Sequence, residues 1–113
     1  MLDVKRNLTT IMDFYELTMA AGYLEEGFED KISVFDMFFR KIPDGGGYAI
    51  MAGLDTFIEA VENLKFTDQD IEYLAATGVF NEKFLDYLRN FTLHCNIWAI
   101  PEGTPIFPQE PIV

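Results

Sequence analysis

The sequence has very few of the residues that usually carry redox or metal chemistry, with one cysteine and one histidine in 113 residues. A single Cys95 excludes an internal disulfide bond and is typical of a reducing cytoplasm. His94 and Cys95 are adjacent in an alternating segment, so they point to opposite faces and cannot together form a nucleophile and base pair or a metal cluster. We interpret both as structural residues and predict no metal site.

Basic residues are also scarce, with 8 Lys and Arg against 19 Asp and Glu and a net charge of -11. Such a chain is repelled by nucleic acid and by anionic membranes, so neither is an expected partner. No apolar run approaches the ~18 residues that a membrane span needs, and no signal peptide is visible. We therefore expect a soluble, cytoplasmic protein.

What the sequence does have is apolar residues, which make up 50% of it and include 11 Phe. A chain of this length is expected to bury about two thirds of its unfolded surface in one domain, here residues 1–113. Three helices are predicted after the first, over residues 54–64, from Thr67 to Gly78 and from Asn81 to Arg89. Alternating strands are predicted at 32–37 and 91–100, followed by a tail of turns and edge strands. The fold class is therefore α+β.

The first helix is predicted to begin at Asp13, whose spacing to Glu16 is that of a capping box, and to stop at Gly27. Its apolar residues occupy two faces instead of one stripe. One face has Phe14, Leu17, Ala21 and Leu24, and the other has Tyr15, Thr18, Met19, Gly22 and Tyr23. A helix that is apolar on two sides is covered on two sides, and we expect another subunit to cover the second.

Arg40 and Lys41 follow the first predicted strand and precede the glycine triplet 45–47. Glycine amides can approach a ligand closely, and a guanidinium binds phosphate or carboxylate with two parallel hydrogen bonds, so the segment outlines an anion site. The only other adjacent basic pair is Lys5-Arg6. The anion site is one of two open interpretations, because a Pro-Asp-Gly-Gly-Gly run is also typical of an ordinary turn. The glycine triplet matches neither a P-loop nor a dinucleotide-binding fingerprint.

Asp13 and Tyr15 also allow two interpretations. Spacing alone assigns Asp13 to capping and Tyr15 to packing. Alternatively, the helix N-terminus, positive by its dipole, presents Tyr15 to a flat anionic ring in a neighbouring subunit.

Seven blocks, in this order, resemble the N-terminal part of nicotinate phosphoribosyltransferase. They are residues 13–19 (DFYELTM), 35–41 (FDMFFRK), 46–50 (GGYAI), 52–54 (AGL), 66–74 (FTDQDIEYL), 84–88 (FLDYL) and 101–111 (PEGTPIFPQEP). The resemblance implies an N-terminal domain of the nicotinate and quinolinate phosphoribosyltransferase type, with helices packed on a small mixed sheet. It covers nearly the whole chain.

The resemblance further implies an enzyme that joins nicotinate to phosphoribosyl pyrophosphate, giving nicotinate mononucleotide and pyrophosphate, with ATP and Mg²⁺ required by the full-length protein. It implies a homodimer in which Asp13 and Tyr15 reach the partner's site and Tyr15 packs on the pyridine ring. Arg40 is expected to contact phosphates in the neighbouring site, with Lys41, Gly46 and Gly47 as further candidate phosphate-binding residues.

The same resemblance implies that an α/β barrel, with a histidine phosphorylated by ATP, would lie beyond Val113. His94 does not match that histidine, so we expect no catalytic residue within these 113 residues and no activity or cofactor binding from them alone. The preference for nicotinate over nicotinamide stays open. The competing hypothesis is a non-catalytic module that keeps the fold to dimerise or to bind a partner.

Overall fold

The computed structural model describes residues 7–113, and the basic pair Lys5-Arg6 lies outside them. The elements of the described chain are α1 (Phe14–Glu25), β1 (Ala49–Ile50), α2 (Leu54–Glu62), α3 (Asp68–Ala76), α4 (Glu82–Arg89) and β2 (Pro105–Ile106). They fall into two compact units, each made of two stretches of chain. The helical unit comprises the residues up to Ile32 together with Asn63–Leu93. The sheet unit comprises Ser33–Glu62 together with His94–Val113.

The helical unit has a continuous apolar core that α1, α3 and α4 supply together with the segments between them. Its buried members are Leu17, Leu24, Phe66, Ile71, Leu74, Phe80, Phe84, Leu85 and Leu88. Phe84 and Leu74 are its most completely buried large side chains. Ring contacts also link its members, with Phe80 and Phe84 centroids 5.2 Å apart.

Side-chain caps define where α3 and α4 begin, as the sequence predicts. Thr67 Oγ1 accepts a hydrogen bond from the Asp70 amide at 3.2 Å, and the Asp70 carboxylate accepts one from the Thr67 amide at 2.7 Å, which together form a capping box. Asn81 Oδ1 accepts from the Phe84 amide at 2.9 Å. Both predicted caps are confirmed because each satisfies a first-turn amide that has no partner within its helix.

Helix α1 is covered on one face only within the part of the chain that the structure describes. Leu17 and Leu24 are buried in the helical core, and Ala21 packs against it. The opposite face is exposed at Tyr15, Met19 and Tyr23. The predicted two-sided helix is thus confirmed, while its cover by another subunit stays a prediction.

The predicted capping box at the start of α1 is wrong. Asp13 occupies the N-cap position with an extended backbone, but its side chain makes no capping hydrogen bond. The Glu16 amide donates instead to the main-chain carbonyl of Asp13 at 3.1 Å. The predicted end is correct, because α1 stops at Glu25 and Gly27 has a φ of 72°, which glycine adopts without strain.

The sheet unit is built on a short antiparallel pair, in which Ala49 pairs with Ile106 and Ile50 with Pro105. Met51 and Ile106 are the buried apolar side chains among its described residues. The expected mixed sheet is therefore wrong for residues 7–113, where the one sheet is two-stranded and antiparallel.

The strands predicted at 32–37 and 91–100 are also wrong, because neither segment forms a ladder. Residues 33–39 make only separate backbone bonds, such as those from the Met37 amide to the Val113 carbonyl and from the Ile112 amide to the Met37 carbonyl. Alternation of apolar and polar residues indicates which side chains a strand would place on each face. A strand also needs a neighbouring strand that hydrogen-bonds to it along its length. Val34, Phe35 and Trp98 are consequently left highly exposed.

Candidate functional site

Tyr15 lies in the first turn of α1 with 59% of its surface exposed. Its main-chain carbonyl accepts a hydrogen bond from the Thr18 hydroxyl at 3.0 Å, which fixes the backbone of this turn. The ring belongs to the uncovered face of the helix and is not a member of the helical core. The packing interpretation of Tyr15 therefore fails within the described chain.

Asp13 is exposed and directly precedes α1. Its carboxylate makes no hydrogen bond or ion pair among residues 7–113, so the capping interpretation fails for its side chain. A carboxylate and an aromatic ring, two positions apart, are thus both presented to solvent at the positive end of a helix. This arrangement can orient a flat ring that carries a polar substituent.

Arg40 and Lys41 are exposed in the sheet unit and have no carboxylate partner among the described residues. Arg89 shows the contrast, because it pairs with Glu82 at 2.7 Å and also with Asp86. Hydrogen bonds to Glu82 and, to a smaller extent, to Asp86 raise the pKa of Arg89 above its usual value. Arg89 is therefore committed to its own helix, whereas Arg40 and Lys41 are free to bind an external anion.

The glycine triplet forms a tight turn in which Gly45 has a φ of 71°. The Gly46 amide donates to Asp44 Oδ1 at 2.9 Å, and a Cβ at Gly46 would meet the same oxygen at 3.0 Å. Its amide is therefore already satisfied, next to a negative charge that disfavours a bound phosphate. A Cβ at Gly47 would meet nothing within 4 Å. The turn interpretation accounts for Asp44 to Gly46 and leaves Gly47, Arg40 and Lys41 unexplained.

The candidate residues thus form two groups. Arg40, Lys41, Gly46 and Gly47 belong to the sheet unit, and Asp13 and Tyr15 belong to the helical unit. Within residues 7–113, no three His, Cys, Asp or Glu side chains are grouped closely enough to hold a metal ion. No helix in this range has the length and apolar character needed to cross a bilayer.

Sequence reasoning missed one carboxylate of the sheet unit, Glu102. Its two oxygens accept hydrogen bonds from the Gly53 and Leu54 amides, each at 3.0 Å. Partners 48 and 49 positions away leave no short-range signature, so no local pattern could have found this contact. A second unpredicted feature is Gln109, whose φ of 63° is positive although it is not a glycine.

Comparison with known proteins shows which protein family contains this chain. The family described as the nicotinate phosphoribosyltransferase (NAPRTase) N-terminal domain matches residues 10–113. The chain belongs to this family. All six candidate residues lie within the matched range, so the resemblance seen in the seven blocks is confirmed for nearly the full length.

The chain is 44% identical over 101 residues to the nicotinate phosphoribosyltransferase pncB2 of Mycobacterium tuberculosis, covering 89% of this chain and 22% of that protein. It is 38% identical over 107 residues to the nicotinate phosphoribosyltransferase of Bacillus subtilis, covering 95% and 22%. With the Homo sapiens enzyme of the same name, identity is 32% over 108 residues, covering 91% and 20%. The chain spans about a fifth of the length of these relatives.

Proposed function

We propose that these residues serve as the N-terminal part of a nicotinate phosphoribosyltransferase. The complete protein would join nicotinate to the ribose of phosphoribosyl pyrophosphate, with ATP hydrolysis, and release nicotinate mononucleotide and pyrophosphate. The observation that carries this proposal is the family match over residues 10–113. A cytoplasmic location is part of the proposal and agrees with one exposed free cysteine, Cys95.

In this proposal Tyr15 packs on the pyridine ring of nicotinate bound to the other subunit of a homodimer, and Asp13 lies beside the ring. Support comes from the exposure of both side chains and from the failure of their structural interpretations within the described chain. A tyrosine ring offers a broad apolar surface with little rotamer entropy to lose. Tyr15 therefore orients the nucleophilic ring nitrogen toward the ribosyl carbon without taking part in bond formation.

Arg40 and Lys41 bind the phosphates of phosphoribosyl pyrophosphate in the same proposal, and Gly47 leaves room for the ligand beside them. Support comes from two exposed cations without a carboxylate partner, in a chain with a net charge of -11. Pyrophosphate leaves as negative charge develops on the oxygen that joined it to the ribosyl carbon, and fixed cations stabilise that charge. Gly46 contributes through the shape of the turn, since its amide is bound to Asp44.

These residues would therefore position the substrates, and holding two reactants in line removes much of the entropic barrier to their reaction. ATP and Mg²⁺ are assigned to the full-length protein, as the family resemblance implies. No step of their chemistry is derived from this chain, and we expect the 113 residues alone to form no nicotinate mononucleotide.

The alternative function is a non-catalytic module that dimerises or binds a partner. The observation that favours it is the uncovered apolar face of α1 with Tyr15, Met19 and Tyr23. A module of this kind would need that face and would not need Arg40.

The test is a turnover assay of the full-length protein and of its Arg40→Ala variant. We expect nicotinate mononucleotide from nicotinate, and a rise of about tenfold in the KM for phosphoribosyl pyrophosphate in the variant, the order expected for one lost charge-assisted hydrogen bond. Lys31→Ala, an exposed cation in the helical unit, is the control and should leave that KM unchanged. A full-length protein without this activity would refute the proposal in favour of the binding module.

A further inference from the structure

Both flanks of the loop 40–48, which contains the candidate phosphate-binding residues, are held by one segment, residues 101–113. On the upstream side, the Gln109 amide donates to the Phe39 carbonyl at 2.8 Å. On the downstream side, β2 pairs with β1, and the Met51 amide donates to the Thr104 carbonyl at 2.9 Å. The conformation of the loop therefore depends on contacts made 53 to 70 positions further along the chain.

A side-chain contact of this arrangement comes from the Glu102 carboxylate. Its Oε1 accepts from the Gly53 amide and its Oε2 from the Leu54 amide, each at 3.0 Å. These amides stand at the start of α2, where no intrahelical acceptor exists, and the helix dipole favours a negative charge there. Glu102 thus caps α2 from a distant part of the sequence with two charge-assisted hydrogen bonds.

The corner that Glu102 caps connects β1 to α2 and contains Gly53 at a φ of 94°, a conformation that other residues rarely adopt. The two strands beside it have only two residues each. A strand pair of that length is marginal on its own. The two bonds to the Glu102 carboxylate therefore add to the few backbone bonds that hold the downstream flank of the loop.

We infer that Glu102 is a positioning residue for the phosphate-binding loop, acting through the Gly53 and Leu54 corner and through β1 without touching substrate. The inference rests on the proposed function for the identity of the ligand, phosphoribosyl pyrophosphate. Glu110 offers a matched comparison in the same segment, since it is exposed and makes no side-chain hydrogen bond among residues 7–113. Replacing it removes the same charge without removing a contact.

The first test is amide hydrogen exchange in the full-length protein with Glu102→Ala and Glu110→Ala. For Glu102→Ala we expect exchange at least about tenfold faster in peptides covering 40–54, as follows when a local anchoring contact is lost, and unchanged exchange in α3 and α4. Glu110→Ala should match the unmodified protein. Unchanged exchange at 40–54, or acceleration of equal size in α3 and α4, would overturn the inference.

The second test is steady-state kinetics on the same variants. We expect the KM for phosphoribosyl pyrophosphate to rise about tenfold in Glu102→Ala and by less in Glu102→Gln, whose single acceptor oxygen keeps one bond. The KM for nicotinate and the value of kcat should change much less. General destabilisation of the protein would not change the KM for phosphoribosyl pyrophosphate selectively. Faster exchange without any change in KM would refute the positioning role. An unmodified protein that lacks the activity refutes the proposed function, and the exchange result still decides whether Glu102 anchors the loop.

Discussion

The helical unit and the sheet unit differ in where their apolar side chains lie. Among its described residues, the helical unit buries nine apolar ones in one cluster. In the sheet unit Met51 and Ile106 are the buried ones among the described residues, while Val34, Phe35 and Trp98 are highly exposed. The first unit is therefore stabilised mainly by its own core, and the second mainly by hydrogen bonds between distant segments.

The comparison is tested most strongly by making the same substitution in both units. Phe84 is 2% exposed and Phe35 is 87% exposed. Phe84→Ala should cost about 3–5 kcal/mol of the free energy of unfolding of the helical unit, through lost burial and a residual cavity. Phe35→Ala should change the stability of the sheet unit by less than about 0.5 kcal/mol.

The measurement for this pair is amide hydrogen exchange under native conditions, which reports the stability of each unit separately. Amides of α3 and α4 report on Phe84→Ala, and those of residues 49–62 report on Phe35→Ala. Similar losses for both substitutions would mean that the two units do not differ in the way their burial indicates.

A smaller effect is expected from removing a helix cap. Asn81 Oδ1 accepts from the Phe84 amide, so Asn81→Ala should lower the stability of α4 by about 1 kcal/mol. Asn96→Ala in the sheet unit is the matched control, since Asn96 is exposed and its side chain makes no hydrogen bond among residues 7–113. The measurement is thermal unfolding of both variants. Equal unfolding midpoints for Asn81→Ala and Asn96→Ala would contradict the role of the cap.

The same contrast explains which predictions from sequence succeeded. Thr67 and Asn81 identify helix starts because the capping oxygen and the amide that it binds are three residues apart. The contacts of the sheet unit join residues that are far apart in the sequence, so local patterns could not predict them. The alternation at 32–37 gave no information about pairing, and the two amides that Glu102 binds lie about fifty positions before it.

Predictions about the candidate site were limited in a similar way. The acidic spacing of Asp13 and Glu16 predicted a cap, yet a main-chain carbonyl satisfies the first-turn amide and the carboxylate is left exposed. Local spacing cannot distinguish these two acceptors. The exposure of Tyr15 was anticipated as one of two alternatives, because the helix was apolar on two faces and only one could belong to its own core.

The central claim is that Tyr15, on the uncovered face of α1, packs on a ligand and does not belong to the core of its own unit. Its most direct test compares Tyr15→Ala with Tyr73→Ala in the full-length protein, since the two rings are 59% and 69% exposed in the helical unit. We expect Tyr15→Ala to raise the KM for nicotinate by roughly tenfold or more through lost ring packing, with an unchanged unfolding midpoint. Tyr15→Phe should keep most of the affinity, and Tyr73→Ala should change neither quantity. An unchanged KM for nicotinate in Tyr15→Ala, or a loss of activity matched by an equal loss of stability, would contradict the account.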